Sequence, residues 1–313
     1  MNEYEKHRGR IAQIGIYLGK LFRMFAYQSE WKVMPMAGIM TVVVATVIKN
    51  GMNVNMEGTV KGAFALSCIC IWNGMFNSIQ VICRERAIVK REHRSGLHMS
   101  SYVAAHMIYQ AFLCAGQCGI IIGVLKIMHI AFSTSSYITS IAESDMFLTL
   151  FLVSYAADMM ALFISSVVKN PTTAMTVVPF LLIFQLVFAG TFFSLKGAAA
   201  KASNFTLSKW GVCSICSQSN YNSLPMVSIW SNLKKMQNIE YEGEQPINEI
   251  INEIENEGKK EEFQLKCGEQ NYNANYESGS DRILECWVRL ILSALFFAAL
   301  SVISLELIDK DKR

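Results

Sequence analysis

Apolar residues are gathered into six long blocks that polar segments separate. The blocks cover about 33–48, 62–83, 102–132, 146–168, 173–195 and 283–307. A helix needs about 20 mainly apolar residues to cross the hydrocarbon core of a bilayer, and most of the blocks approach or exceed that length. A large soluble protein does not need blocks of this kind. The pattern therefore predicts an all-α membrane protein with six transmembrane helices.

The first 32 residues have a different pattern. Apolar residues recur there at helical spacing beside two basic residues: Ile11, Ile14, Leu18, Leu21, Phe22 and Phe25, with Lys20 and Arg23. This spacing predicts an amphipathic connecting helix that lies on the membrane surface. The segment has no short apolar core with a cleavage site, so we do not interpret it as a cleaved signal peptide.

The distribution of lysine and arginine predicts the orientation. Basic residues are concentrated in segments 1–32, 84–98, 169–172 and 308–313, whereas the short loops on the other side contain only Lys49 and Lys61. Basic loops stay on the cytoplasmic side. Both termini are therefore predicted to be cytoplasmic, and the location that we expect is the plasma membrane. In this scheme residues 33–196 contain transmembrane helices 1–5, and residues 283–313 contain helix 6 and a cytoplasmic tail.

The long polar segment 197–282 is predicted to be extracellular. Its first part, 205–235, is mildly apolar, and we expect it to turn back towards the bilayer. Its second part, 236–281, is an acidic insertion with twelve Asp or Glu residues against three Lys. Four isoleucines in the insertion fit one face of a short surface helix: Ile247, Ile250, Ile251 and Ile254.

The composition argues against several classes of function. Of 313 residues, 52% are hydrophobic and 17% are charged, against about 25% charged in soluble domains. The net charge of +3 is small and no patch of basic and aromatic residues occurs, so nucleic acid is not expected as a partner. We expect the chain to contact membrane lipid. Neither a phosphate-binding G-x-x-x-x-G-K-[ST] nor a zinc-binding H-E-x-x-H occurs. The chain is therefore not expected to be an enzyme or to bind ATP.

Three cysteines lie in the predicted outer region: Cys213, Cys216 and Cys267. They are open to three interpretations, namely a disulfide, a metal site or reduced thiols. A tetrahedral zinc site needs four ligands and the region has no histidine, so no metal site is predicted. A disulfide is the preferred interpretation, although the sequence does not give its connectivity.

Several polar residues interrupt the apolar blocks. Such groups generally face the interior of a helix bundle or a cavity. Asp158 is the costliest of them to bury, and we expect it to pair with Arg289 or Lys126. The others are Asn73, Asn77, Gln80, Gln110, Gln117 and Gln185.

Two short regions resemble one membrane-protein family. After the second block the chain reads Glu85-Arg86, then Arg91-Glu92 with Gly96, then Ser100-Ser101-Tyr102. These elements resemble the E-[RK], R-E-x-x-x-G and S-x-Y elements around the coupling helix of ABC-2 type permeases, specifically the ABCG-like (White-type) exporters. Residues 162–171, Pro179 and Phe188-Ala-Gly190 resemble that family's I-S-x-x-x-x-N turn, its proline and its F-[SA]-G element. The resemblance covers about residues 10–235 and the last block; the acidic insertion has no counterpart in it.

The resemblance implies that ATP hydrolysis on a partner subunit supplies the energy for transport. A coupling helix at 84–98 would dock on a separate ABC ATP-binding subunit, which would bind the ATP and magnesium, so this chain would bind no cofactor. The residues implied in coupling are Glu85, Arg86, Arg91, Glu92 and Gly96. The alternative is a loop that only obeys the positive-inside rule. The family works as dimers, which implies a homodimer or heterodimer of permeases, and Gly119 and Gly123 form a GxxxG pair that permits close helix packing.

The resemblance also implies a substrate cavity between the second and fifth helices of two permeases. By position its lining would be Ile69, Cys70, Asn73, Ile183 and Leu186, with Thr191 and Phe192 at a constriction. Ordinary helix packing is the alternative for each residue. The implied function is outward transport of an amphipathic or hydrophobic substrate. A proton- or ion-coupled secondary transporter and an intramembrane sensor or accessory protein are the alternatives; the first of them generally has internal repeats, and none is seen.

Overall fold

The computed structural model describes residues 9–27, 30–130, 136–191, 195–240, 245–256 and 258–307. These residues contain helices and no strand, which confirms an all-α protein. The helices are α1 (Arg10–Tyr27), α2 (Val33–Ile48), α3 (Met56–Ser78), α4 (Val81–Arg94), α5 (Met99–Ile127), α6 (Ala142–Val167), α7 (Pro171–Val187), α8 (Ala198–Ser203), α9 (Leu207–Gln218), α10 (Leu224–Met236), α11 (Pro246–Asn256), α12 (Lys260–Gln270) and α13 (Ser280–Glu306).

Each of the six apolar blocks corresponds to a helix, but the helices differ in length. Four stretches of the described chain are long and apolar enough to cross a membrane: α3 with its continuation α4, then α5, α6 and α13. The other two, α2 and α7, are apolar but have only 16 and 17 residues. The fifth block was predicted to continue to residue 195, whereas α7 ends at Val187. The chain turns soon afterwards at Gly190, whose φ of 76° suits glycine and disfavours other residues.

Helix α6 is the centre of the bundle. It packs against α3 on one side and α13 on another, while α5 contacts α1, α2 and α6. The contact between α3 and α6 is unusually close at Gly74, because a Cβ atom placed there would lie 2.1 Å from the carbonyl oxygen of Ser154. Apolar side chains fill the remaining space, among them the fully buried Leu66, Leu150 and Leu162.

Helix α9 lies inside this bundle, although it belongs to the segment that reads as polar. It contacts α3, α6 and α13, and almost all of its residues are buried. Its first two backbone N–H groups donate to Gln185 Oε1 of α7, at 2.8 Å from Leu207 and 3.1 Å from Ser208. The first N–H groups of a helix have no partner within the helix, so this side chain supplies one. The expectation that residues 205–235 turn back towards the bilayer remains a prediction.

The acidic insertion folds as short helices that pack on α10. The predicted isoleucine helix is confirmed as α11, and its Ile251 is buried. Helix α11 contacts α10, where Lys234 Nζ and Glu255 Oε1 are 3.0 Å apart. Helix α12 also contacts α10, and the rings of Trp230 and Phe263 meet edge to face there. The chain itself therefore covers part of the apolar side of the insertion, including Ile251.

Candidate functional site

The predicted coupling helix is α4, and it starts earlier than expected. The sequence placed it at 84–98 after a span that reached residue 83. In the structure α3 ends at Ser78, two residues form a turn, and α4 runs over Val81–Arg94. The side chain of Ser165 on α6 explains the start, because its Oγ accepts the backbone N–H of Ile82 at 3.0 Å and of Cys83 at 3.2 Å. These otherwise orphaned N–H groups begin the helix.

Gly96 ends α4. Its φ is 99°, a value that L side chains rarely adopt, so glycine suits this position. The backbone N–H of Gly96 donates to His93 O, and that of Leu97 donates to Glu92 O, each at 3.0 Å. This arrangement satisfies carbonyl groups at the end of α4 and lets α5 begin at Met99. The role of Gly96 that the structure shows is therefore in helix termination.

Helix α1 is hydrogen-bonded to α4 at two levels and to the connection after α4 at a third, which the sequence did not reveal. Lys20 Nζ lies 2.9 Å from Glu85 Oε1 and 3.0 Å from Oε2. The hydroxyl of Tyr17 donates to Glu92. The side chain of Gln13 donates to Gly96 O at 3.2 Å and accepts the N–H of His98 at 3.0 Å. The amphipathic helix is thus attached along the length of α4.

Arg86 attaches α4 to a second helix. Its Nη1 donates to Ser166 O at 2.7 Å, at the carboxyl end of α6. The last carbonyl groups of a helix lack partners and carry a partial negative charge, so a guanidinium group is favourable there. Together with Ser165, this contact couples both the start and the middle of α4 to the central helix of the bundle.

The outward face of α4 is formed by other residues. Arg84, Ile88, Arg91 and Arg94 are exposed and follow one another at spacings of three or four residues. Of the five residues implied in coupling, only Arg91 lies on this face. Glu85, Arg86, Glu92 and Gly96 instead contact the rest of the chain. In the structure both carboxylates contact α1, and the role of the five residues in coupling stays a prediction.

The residues implied in a substrate cavity are not brought together in this single chain. Ile69, Cys70 and Asn73 are buried inside the bundle. The exposed stripe of α3 contains Trp72 and Phe76, whose rings stack at 4.8 Å. The residues inferred for α3 therefore do not lie on its exposed side, because an offset of one residue turns a side chain by about 100°, and their role in a cavity stays a prediction.

The remaining residues of that set lie elsewhere. Ile183 and Leu186 are exposed on α7. The hydroxyl of Thr191 is buried without a hydrogen-bond partner among the described residues. Phe192 lies outside the described residues. Of the two residues predicted to form the constriction, the structure therefore describes only Thr191.

Asp158 has partners that differ from those expected. Its carboxylate accepts the hydroxyl of Ser78 and lies 3.4 Å from Cys114 Sγ. The pairing with Lys126 or Arg289 is wrong. Lys126 lies 2.6 Å from Glu143, and Arg289 lies 3.6 Å from Glu285.

A second polar contact lies beside Asp158. The side-chain amides of Asn77 and Gln117 exchange two hydrogen bonds at 2.9 and 3.0 Å. Because these residues lie on α3 and α5, and Asp158 on α6, paired polar groups join the three helices inside an apolar interior.

The three outer cysteines do not form a disulfide in the structure, where all nine cysteines are free. Cys213 and Cys216 are buried within α9, whereas Cys267 is partly exposed on α12. Burial raises the pKa of the Cys267 thiol, which favours its neutral form. Within the described ranges, no cluster of three or more His, Cys, Asp or Glu residues could hold a metal ion. Reduced thiols are therefore the form that this structure contains.

The contact between α1 and α4 predicts a measurable coupling between Lys20 and Glu85. In a cycle of Lys20→Met, Glu85→Gln and the double variant, we expect about 0.5–1 kcal/mol of coupling in unfolding free energy, because both side chains are partly exposed and screened by solvent. The same cycle on the exposed pair Lys61–Glu57 is the control, with an expected coupling of about 0.3 kcal/mol. Purely additive effects at Lys20 and Glu85 would contradict the contact.

The helices and their apolar composition define an integral membrane protein. The family model described as ABC-2 type transporter matches residues 20–202, from α1 to α8 and including all of α4. The match covers more than half of the chain, so the chain belongs to the ABC-2 type transporter family, and it is a permease component of an ABC transporter. No curated protein matches it. The family implies an ABC ATP-binding partner in general.

Proposed function

We propose that this chain is the permease subunit of an ABCG-like exporter, and that α4 is its coupling helix. One observation carries the proposal: α4 has two different sides. One side is attached to α1 and α6, through Glu85, Glu92 and Arg86. The other side is exposed and basic. A loop that served only to keep positive charge inside would not need this attachment.

The attachment suits the transmission of a movement. A partner that pushed on α4 would act on α6 through Ser165 and Ser166, which hold the start and middle of α4. Because α6 packs against α3 and α13, a displacement of α4 would reach the middle of the bundle. Because Lys20 and Glu85 form an ion pair, a displacement of α4 would also move α1. The ATP and magnesium would be bound by the partner, and this chain would contribute no catalytic residue.

The chemistry of the exposed face suggests the chemistry of its partner. Three arginines surround Ile88 on this face. Arginine is common at protein interfaces because its planar guanidinium binds carboxylates in pairs of hydrogen bonds. A cleft on the ATP-binding subunit with an apolar floor and acidic edges would fit this surface.

In this proposal the membrane is crossed six times, with α2 and α7 as the two short spans. Both termini are cytoplasmic, and residues 197–282 lie outside the cell at the plasma membrane. Two permeases, alike or different, form the transporter and enclose an apolar cavity. The exposed side chains of Trp72, Phe76, Ile183 and Leu186 suit such a cavity better than the buried side chains of α3. An amphipathic or hydrophobic substrate would pass outwards through it.

Charge reversal on the outward face of α4 tests this proposal. We expect Arg91→Glu to weaken co-purification of the ATP-binding subunit from native membranes about tenfold, since one misplaced charge at an interface costs about 1.4 kcal/mol or more. Permease-dependent ATPase activity should fall in parallel. Both are measured on the full chain, purified in a mild detergent with and without the variant.

The matched control is Lys49→Glu, which makes the same charge change at the exposed residue after α2. It should leave both association and ATPase activity unchanged. If wild-type chain captures no ATP-binding subunit, or if the two variants behave alike, α4 is not the coupling helix.

A further inference from the structure

A cavity of about 350 Å³ lies beside α4, and one of its lining residues, Phe76, also belongs to the surface proposed for the substrate. It is enclosed by α1, the start of α2, the junction of α3 with α4, and α5. Ligand sites in proteins commonly have volumes of about 300–1,000 Å³. The cavity is therefore large enough for a small molecule or for one end of a lipid.

Two buried side chains in the cavity wall lack hydrogen-bond partners. His106 and Gln110 lie one turn apart on α5, and they are 1% and 0% exposed. Among the described residues, neither ring nitrogen of His106 and neither amide atom of Gln110 has a partner. Burying such groups unpaired costs about 1–3 kcal/mol each. Both residues lie on one face of α5 and belong to the wall of the same cavity.

Two other buried amides of this bundle, Gln117 and Gln185, are satisfied, whereas both amide atoms of Gln110 and both ring nitrogens of His106 are unpaired. Gln117, two turns further along α5, is paired with Asn77. Gln185 on α7 accepts two backbone N–H groups. Buried polar side chains in proteins are nearly always hydrogen-bonded, and exceptions call for an explanation such as a bound molecule. A ligand in the cavity is the explanation that its position suggests.

The four unpaired atoms specify the chemistry of that ligand. A neutral imidazole has one donor and one acceptor, and a carboxamide has both as well. Hydroxyl groups match this set because each one donates and accepts. Of the charged groups of the wall, Glu85 pairs with Lys20, and Arg84 donates to Gln80 and is exposed on the outward face of α4. An uncharged head group that bears hydroxyls therefore fits better than an ionic one.

Apolar side chains form another part of the cavity wall. Leu21 on α1 and Leu113, one turn beyond Gln110 on α5, belong to it, and the partly exposed Val33 and Phe76 carry the apolar lining to the surface of the bundle. Because this surface is apolar, an acyl chain can pack against it. We propose that the cavity binds one lipid with an uncharged, hydroxyl-bearing head group, which lies between His106 and Gln110 while its tail extends past Phe76. The lipid would also contact α4 at Arg84 and Glu85.

Binding of 1-monoolein to the full chain tests this site, and the test does not depend on the proposed function because it needs no ATP-binding subunit. The chain is placed in phosphatidylcholine nanodiscs, and its thermal midpoint and its bound lipid are measured, the latter by native mass spectrometry. At a saturating concentration, about 100 times Kd, we expect one bound monoolein and a rise of about 5 °C. Oleate and lysophosphatidylcholine at the same mole fraction should produce a much smaller rise.

Two variants of buried amides separate this site from general lipid effects. Gln110→Leu should raise the midpoint without ligand, because it removes unpaired groups, and it should abolish the monoolein shift. Gln185→Leu is the matched control, and it should lower the midpoint without ligand but keep the shift. Leu113→Trp, which fills the cavity, should also remove the shift.

Three results would overturn the proposal. The first is no effect of monoolein on the wild-type chain. The second is an equal shift in wild type and Gln110→Leu. The third is an equal shift with oleate or lysophosphatidylcholine, which would mean that the hydroxyl-bearing head group is not what is recognised.

Discussion

Replacing Gly74 by alanine is expected to destabilise this protein by about 3 kcal/mol or more, at the upper end of the cost of overpacking a core. The added Cβ would lie 2.1 Å from Ser154 O and 3.0 Å from Asp158 N. Both atoms belong to the backbone of α6, so no side chain can rotate to make room, and α3 must move away from α6. Since these helices form the largest contact of the bundle, we expect the thermal midpoint to fall by about 6–12 °C.

The control for this substitution is Gly119→Ala on α5. No atom lies within 4 Å of a Cβ placed at Gly119. Alanine favours helix over glycine by about 0.5–1 kcal/mol, so the midpoint should stay unchanged or rise slightly. A fall at Gly119 would point to a contact with a second copy through the GxxxG pair. An unchanged midpoint for Gly74→Ala would mean that α3 and α6 do not approach each other as described.

Replacing Thr149 by valine is expected to cost about 2–3 kcal/mol, although it barely changes the shape of the side chain. The hydroxyl of Thr149 on α6 accepts Gln218 Nε2 at 2.6 Å and Trp287 Nε1 at 2.8 Å. It also lies 3.0 Å from Ser214 Oγ. One hydroxyl therefore joins α6, α9 and α13, and its loss leaves the buried indole N–H of Trp287 without this acceptor. We expect the midpoint to fall by about 5 °C.

Thr41→Val on α2 is the matched control, because Thr41 is also fully buried. Its hydroxyl donates to Ala37 O at 2.7 Å within the same helix. Valine there leaves no buried donor unpaired, so the midpoint should change by less than about 2 °C. If Thr149→Val and Thr41→Val have the same small effect, the junction of the three helices does not depend on this hydroxyl.

The positions of the helices could be predicted from the sequence because they depend on local properties. The length of an apolar block and the period of an amphipathic segment are both contained in neighbouring residues. Helices α1, α2 and α13 therefore lie within a few residues of their predicted positions. The ends were less predictable where tertiary contacts set them. Ser165, about 80 residues further along, caps the start of α4, and α7 stops before the turn at Gly190.

The faces of the helices could not be predicted in the same way. A helix that is apolar on all sides has no periodic signal to show which side is buried. Cys70 and Asn73 were assigned to a cavity by their position in the resembled family, while the structure exposes Trp72 and Phe76 of the same helix. The hydrogen-bond partners of the buried polar groups could not be predicted from the sequence either. Asp158 is bonded to Ser78, 80 residues away, and not to a basic residue.

What the sequence determined by itself was the class of protein, the approximate place of each apolar helix and the charged block that resembles a coupling helix. Each of these depends on composition and spacing along a short stretch of chain. Only the tertiary structure decided that Glu85 and Glu92 face α1, that α9 is buried, and that His106 and Gln110 border a cavity. These features depend on which distant segments pack together, because a buried polar group is stabilised by whichever partner the packing brings within hydrogen-bond distance.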